Sequence, residues 1–125
     1  MSGSGEGNPP TRVLLVEDDP NDAKLIQEAL AGSVGRSYEV DWVMQLAAAL
    51  VRLGEAPVEV VLLDLTLPDG QGIAAFDQIF AAAPRALILV LSGASDEELA
   101  RQAVQRGAVD YFAKAHIDAR WLPHA

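Results

Sequence analysis

Polar groups of chemically useful types stand at the ends of apolar runs in this chain. Glu17 closes "RVLLVE" and is followed by Asp18 and Asp19; Asp64 closes "VEVVLLD", Ser92 closes "ALILVLS" and Lys114 closes "VDYFAK". Carboxylates a few ångströms apart repel by about 1 kcal/mol per pair in water and about 4 kcal/mol at an effective dielectric of about 20, so a gathered set needs a counter-ion. An all-oxygen set with no His or Cys suits a hard cation, Mg²⁺ ahead of Mn²⁺ or Ca²⁺, held by few carboxylates and several waters. A cation and a lysine around one free carboxylate oxygen form a layout for phosphoryl transfer. The positive charges stabilise the equatorial oxygens while Asp64 attacks in line, and Ser92 hydrogen-bonds the transferred group.

Each residue alone has a plainer reading. Asp64 on its own reads as a strand cap at the start of the Pro68-Asp69-Gly70 turn, because Asp bonds its local backbone. Asp19, just before Pro20, reads as a helix cap. Lys114 alone is a solvated lysine, Ser92 a loop residue, Tyr111 and Phe112 packing aromatics, and His116 and His124 are given no role. Their joint occurrence at one rim favours chemistry, which requires elements that bring them there.

Apolar runs of strand length alternate with amphipathic segments of helix length. Residues 12–17, 58–64 and 86–92 are nearly unbroken, as strands buried on both faces are, whereas "YEVDWV" (38–43) alternates and "VDYFAK" (109–114) is short, so these two are outer strands. Between them "PNDAKLIQEALAG", "QLAAALVRLG", roughly residues 73–82 and "DEELARQAVQRG" carry helical spacing with Pro and Gly boundaries. The alternation predicts an α/β fold, a parallel five-stranded sheet covered on both faces, and in such sheets the site lies at the carboxyl ends of the strands.

Composition narrows the function classes. The 125 residues are 50% hydrophobic and fit one domain; 18 acidic against 9 basic side chains give a net charge of −9, unsuited to nucleic acid or an anionic membrane surface. There is no Cys, which excludes disulfide and thiol chemistry. The Gly- and Ser-rich start lacks the pattern of a signal peptide, and the longest strictly apolar run, "ALILVL", is too short to span a membrane. Residues 1–10 are expected to be a flexible tail, 11–125 the domain, and the location cytoplasmic.

"LLVEDDPND", "VVLLDLTLPDGQG", "LILVLSGAS" and "GAVDYFAKA" together resemble the receiver domain of two-component response regulators, in order and spacing, across residues 11–117. The resemblance implies a flavodoxin-like, doubly wound sheet of order 2-1-3-4-5 that takes a phosphoryl group from a phosphohistidine onto Asp64, with Mg²⁺ as cofactor. It implies Asp18 as direct metal ligand beside Asp64, Glu17 acting through water, and Thr66 contributing its backbone carbonyl. It implies Ser92 as the switch hydroxyl, Lys114 as the phosphoryl-binding lysine, and Tyr111 as the aromatic that turns inward when the hydroxyl moves, reshaping the face of strands four and five and helix four. The implied partners are a sensor histidine kinase or histidine phosphotransfer protein and a downstream protein or fused output domain. Its chemistry would be self-phosphorylation and self-dephosphorylation, not that of an enzyme in the ordinary sense.

Two departures stand out. Ala115 follows Lys114 where many family members have a proline after a cis bond; that bond before a non-proline residue costs about 2.5–4 kcal/mol, so the resemblance leaves the geometry of the Lys114–Ala115 bond open. After "GAVDYFAKA" only "HIDARWLPHA" remains, which predicts a short or truncated fifth helix, an apolar face left open beside helix one, and pairing with a second copy or a missing segment. Competing functions are a degenerate receiver that only binds proteins and an aspartate-nucleophile phosphatase of the haloacid-dehalogenase type. The latter wants a second Asp where this chain has Thr66.

Overall fold

The computed structural model describes residues 9–32, 37–93 and 96–114. Five parallel strands, β1 (Thr11–Val16), β2 (Tyr38–Val43), β3 (Val60–Asp64), β4 (Leu87–Ser92) and β5 (Asp110–Ala113), form one sheet in the order β2-β1-β3-β4-β5. Helices α1 (Pro20–Ala31), α2 (Leu46–Glu55), α3 (Ile73–Ala82) and α4 (Glu97–Gln105) connect them. The expected architecture and strand order are those observed, with β2 and β5 at the edges.

The central strands read as unbroken apolar runs because alternate side chains serve two cores. Leu14, Val16, Val61, Leu63, Ile88 and Val90 pack on the side of α2, α3 and α4, whereas Val13, Leu15, Val60, Leu62, Leu89 and Leu91 pack on the side of α1. Helix α1 meets that second core through Ala23, Ile26, Ala29 and Leu30, one stripe at helical spacing.

Register sets the site. Val16 lies opposite Leu63, Asp64 opposite Leu91, and Ser92 opposite Ala113. Residues immediately past these pairs therefore emerge at one rim: Glu17 beside Asp64, then Ser92, then Lys114.

Helix starts show how loops are fixed around that rim. Asp19 caps α1, its Oδ1 accepting from the amide of Asn21 at 2.8 Å, and Pro20 occupies the first turn. Helix α2 has no side-chain cap of its own at Gln45. Its first amides are instead met by Asp69, whose Oδ1 accepts from Leu46 at 2.8 Å and Oδ2 from Ala47 at 3.0 Å. The Ala47 and Leu46 amides hold the Asp69 carboxyl below the usual carboxylate range. The segment 68–70, expected to be only a turn, is thus the tip of a small antiparallel ribbon, Thr66–Leu67 against Gly70–Gln71, and it anchors a second helix. The chain then enters α3 through Gly72, whose φ of 76° suits a residue without a Cβ. Asp69→Ala leaves two helix amides without acceptors and is expected to lower the thermal midpoint by several degrees, Asp69→Asn by less. Circular dichroism melting checks this; an unchanged midpoint in Asp69→Ala contradicts it.

The C-terminal expectations resolve only in part. Residues 115–125, with the Lys114–Ala115 bond, His116, His124 and the short fifth helix, lie outside the described residues, as do residues 1–8 of the expected tail. On the apolar face of β3 and β4 beside α1, Leu62, Leu89 and Leu91 are buried while Leu87, at the start of β4, is 55% exposed. Among the described residues no helix is long and apolar enough to cross a membrane.

Candidate phosphoryl-acceptor site

The turn after β1 points Glu17 inward. Its amide donates to the Val43 carbonyl at 3.0 Å and its own carbonyl accepts from the Trp42 indole at 2.7 Å, so the neighbouring edge strand locks the backbone. Its carboxylate is buried, and Oε2 accepts from the Asp19 amide at 3.1 Å. Asp18, next in the chain, is half-buried.

Asp64 ends the central strand and is also buried, yet both of its oxygens are engaged. Oδ1 accepts from the Thr66 amide at 3.0 Å and the Thr66 hydroxyl at 2.8 Å, while Oδ2 accepts from Lys114 Nζ at 3.0 Å. The strand-cap reading of Asp64 therefore holds for one oxygen, and the other faces a cation from β5. Lys114 reaches further. Its Nζ lies 2.9 Å from Glu17 Oε1 and 3.1 Å from Oε2, aligned for a hydrogen bond only to Oε2, and 3.1 Å from Asp22 Oδ2.

Burial pushes the Glu17 carboxyl from its ordinary 4.5 up to about 7, with the charge of Asp64 adding to the rise and Lys114 opposing it. Burial alone would raise Asp64 as well. Hydrogen bonding with Glu17, the Thr66 amide and Lys114 outweighs it, and the Asp64 carboxyl is held below its ordinary value. Lys114 loses solvation but gains Glu17 and Asp64 as partners, so its ammonium form is strengthened. Of the two buried carboxyls Glu17 is therefore the one that takes up a proton first as the pH falls, and Asp64 stays an ionised oxygen nucleophile.

The same group fits a hard divalent cation. Glu17, Asp18 and Asp64 each offer a carboxylate oxygen, all within 4.8 Å of one another. Among the described residues Glu17 Oε1 makes no hydrogen bond and only an ion pair with Lys114 at 2.9 Å, so a cation or its bound water can be its further partner.

The other expected residues are placed less centrally. Ser92 is buried at the rim, its hydroxyl donating to the Phe112 carbonyl over a long 3.4 Å. Tyr111 is half-buried against the core on the α2–α4 side, and its side chain, beside Arg101 of α4, helps hold that guanidinium above its ordinary value. Thr66 is exposed and grips Asp64 through its amide and hydroxyl. Two participants were not singled out from the sequence. Asp22 received no reading there, and Asp69 read as a turn residue; a carboxylate three residues after the Asp19 cap, and so on the rim side of α1, was the available signal for Asp22.

Comparison with known proteins places this geometry in context. The pattern that defines the response regulator receiver domain matches residues 13–123. The KDP operon transcriptional regulatory protein KdpE of Escherichia coli is 33% identical over 106 residues, an overlap covering 83% of this chain and 44% of that protein. The chain therefore spans less than half the length of that relative. Among solved structures, the signal receiver domain of a LuxO repressor-type protein from Vibrio parahaemolyticus is 27% identical with a TM-score of 0.78, over 93% of this chain and 86% of that one. A response regulator protein from Burkholderia pseudomallei, solved with a phosphorylated aspartic acid, a calcium ion and citrate, is 30% identical with a TM-score of 0.71, over 83% of this chain and 59% of that one.

Proposed function

The chain belongs to the response-regulator receiver family, and from that membership we propose that Asp64 accepts a phosphoryl group from a phosphohistidine of a sensor histidine kinase or a histidine phosphotransfer protein. The observation that carries the assignment is the state of Asp64: buried, ionised, and flanked by a lysine ammonium at 3.0 Å and by two further carboxylates within cation-sharing distance. In the transfer an Asp64 oxygen forms the new P–O bond as the P–N bond to the donor imidazole breaks, and the imidazole leaves with the bonding pair. Lys114 supplies fixed positive charge at the phosphoryl oxygens, and the Thr66 amide orients the carboxylate by holding Oδ1.

Asp18, Asp64, the Thr66 carbonyl and, through water, Glu17 would hold Mg²⁺. When bound, the ion supplies charge neutralisation for the incoming phosphoryl group. The phosphorylated aspartate and calcium ion of the Burkholderia relative support both assignments. After transfer, Ser92 leaves the Phe112 carbonyl for the phosphoryl group and Tyr111 leaves Arg101 for the vacated space, changing the surface of β4, β5 and α4 that a downstream protein or a fused output domain reads. The chemistry is confined to the chain's own Asp64, so the product is a signalling state, in the cytoplasm.

Incubation with Mg²⁺ and acetyl phosphate, read by intact mass, is expected to add one phosphoryl group, and chelation of the metal to prevent it. Asp18→Asn is expected to raise the Mg²⁺ concentration for half-maximal uptake at least about tenfold. Steady release of inorganic phosphate without an adduct, or uptake indifferent to Mg²⁺, contradicts the proposal.

A further inference from the structure

We infer that Asp22 is a positioning residue for Lys114, holding the ammonium group from the α1 side while a phosphoryl group is transferred to Asp64. The inference rests on the reading of Asp64 as phosphoacceptor. A lysine ammonium has three protons, and here they meet three carboxylates: Glu17 Oε2 at 3.1 Å, Asp64 Oδ2 at 3.0 Å and Asp22 Oδ2 at 3.1 Å. Two of these acceptors are buried beneath the lysine. The Asp22 side chain is 35% exposed and that of Lys114 19%, so Asp22 takes the proton that otherwise faces water.

The plain role of a first-turn acid does not account for this contact. The α1 amides of Asn21 and Asp22 are already served by Asp19, and Asp22 reaches a partner 92 positions away in sequence. Nor does Asp22 belong to the trio Glu17, Asp18 and Asp64 that gathers oxygens for a cation. During transfer the contact of Lys114 with Asp64 must be exchanged for one with a phosphoryl oxygen. The contact with Asp22 need not change. A flexible four-carbon stem anchored at its tip on the solvent side keeps its charge where charge develops.

The test uses the whole chain with acetyl phosphate at fixed Mg²⁺, following phosphoryl uptake by intact mass. Asp22→Ala is expected to slow uptake by about three- to tenfold. Asp22→Asn, whose amide oxygen still accepts, is expected to retain most of the rate. The Mg²⁺ concentration for half-maximal uptake should stay unchanged in both. A second readout needs no phosphorylation: the ¹⁵Nζ resonance of Lys114, assigned by its loss in Lys114→Arg, should broaden in Asp22→Ala and persist in Asp22→Asn. Wild-type rate and an unaltered Nζ signal in Asp22→Ala overturn the inference, as does a Mg²⁺ requirement that rises in step with the lost rate. If the unaltered chain takes up no phosphoryl group, the acceptor reading fails and the inference with it. Equal uptake by the unaltered chain and Asp22→Ala overturns the inference alone.

Discussion

Asp64→Asn is expected to reduce phosphoryl uptake to background while the chain remains folded. The carboxamide keeps the shape of the side chain and an oxygen for the Thr66 amide, so the local hydrogen bond at 3.0 Å can persist. What disappears is the anionic nucleophile, since the amide carbonyl oxygen is a weak one and the NH₂ group has no free pair. The neighbours cannot take over. Glu17 is pinned by the Asp19 amide and Lys114, and Asp18 does not end a strand facing the lysine. Intact mass after acetyl phosphate treatment, with circular dichroism as the folding control, decides it; undiminished uptake by a folded Asp64→Asn chain would falsify the acceptor assignment.

Phe76→Ala is the substitution expected to cost most in stability. Phe76 has 0% exposure and sits among Leu63, Leu65, Ala75, Ile79 and Ile88 in the core between the sheet and α2, α3 and α4. Its ring stacks on Phe80 with centroids 5.5 Å apart at 21°. Truncation removes buried apolar area and leaves a cavity that a close-packed core only partly fills, which together cost about 3–5 kcal/mol out of a typical total of about 5–15. The thermal midpoint should fall by roughly 10–20 °C. Phe80, 40% exposed, provides the contrast: Phe80→Ala loses the stack but less buried area and should shift the midpoint less. Equal losses in the two variants contradict this placement of the core.

The strands and helices were legible because their causes are local. Unbroken apolar runs mark strands buried on two faces, and Pro20, Gly32 and Pro84 mark helix boundaries at the level of single residues. The rim was legible as a set of strand ends. Its depth was not: the register that sets Val16 against Leu63 and Ser92 against Ala113 comes from side-chain packing between strands distant in sequence, and it decides that Glu17 is buried beside Asp64 rather than exposed as a helix cap. Asp69 and Asp22 show the same limit. Asp69 had a sufficient local explanation as a turn residue and Asp22 drew none, yet each has a partner on another element, α2 for Asp69 and Lys114 for Asp22. Local pattern does not say which partner distant in sequence such a carboxylate meets. Ser92 and Tyr111 stand differently, because the hydroxyl bonded to the Phe112 carbonyl and the aromatic side chain meeting Arg101 describe one arrangement of a pair whose proposed role needs two.

The most direct test of the acceptor assignment locates the phosphoryl group chemically. After Mg²⁺ and acetyl phosphate treatment, borohydride reduces an aspartyl phosphate to an alcohol and releases inorganic phosphate, and peptide mass spectrometry then finds the altered side chain. The altered residue should be Asp64, within the tryptic peptide bounded by Arg52 and Arg85. Alteration at Glu17 or Asp18, or a phosphorylated chain with Asp64 intact, contradicts the account.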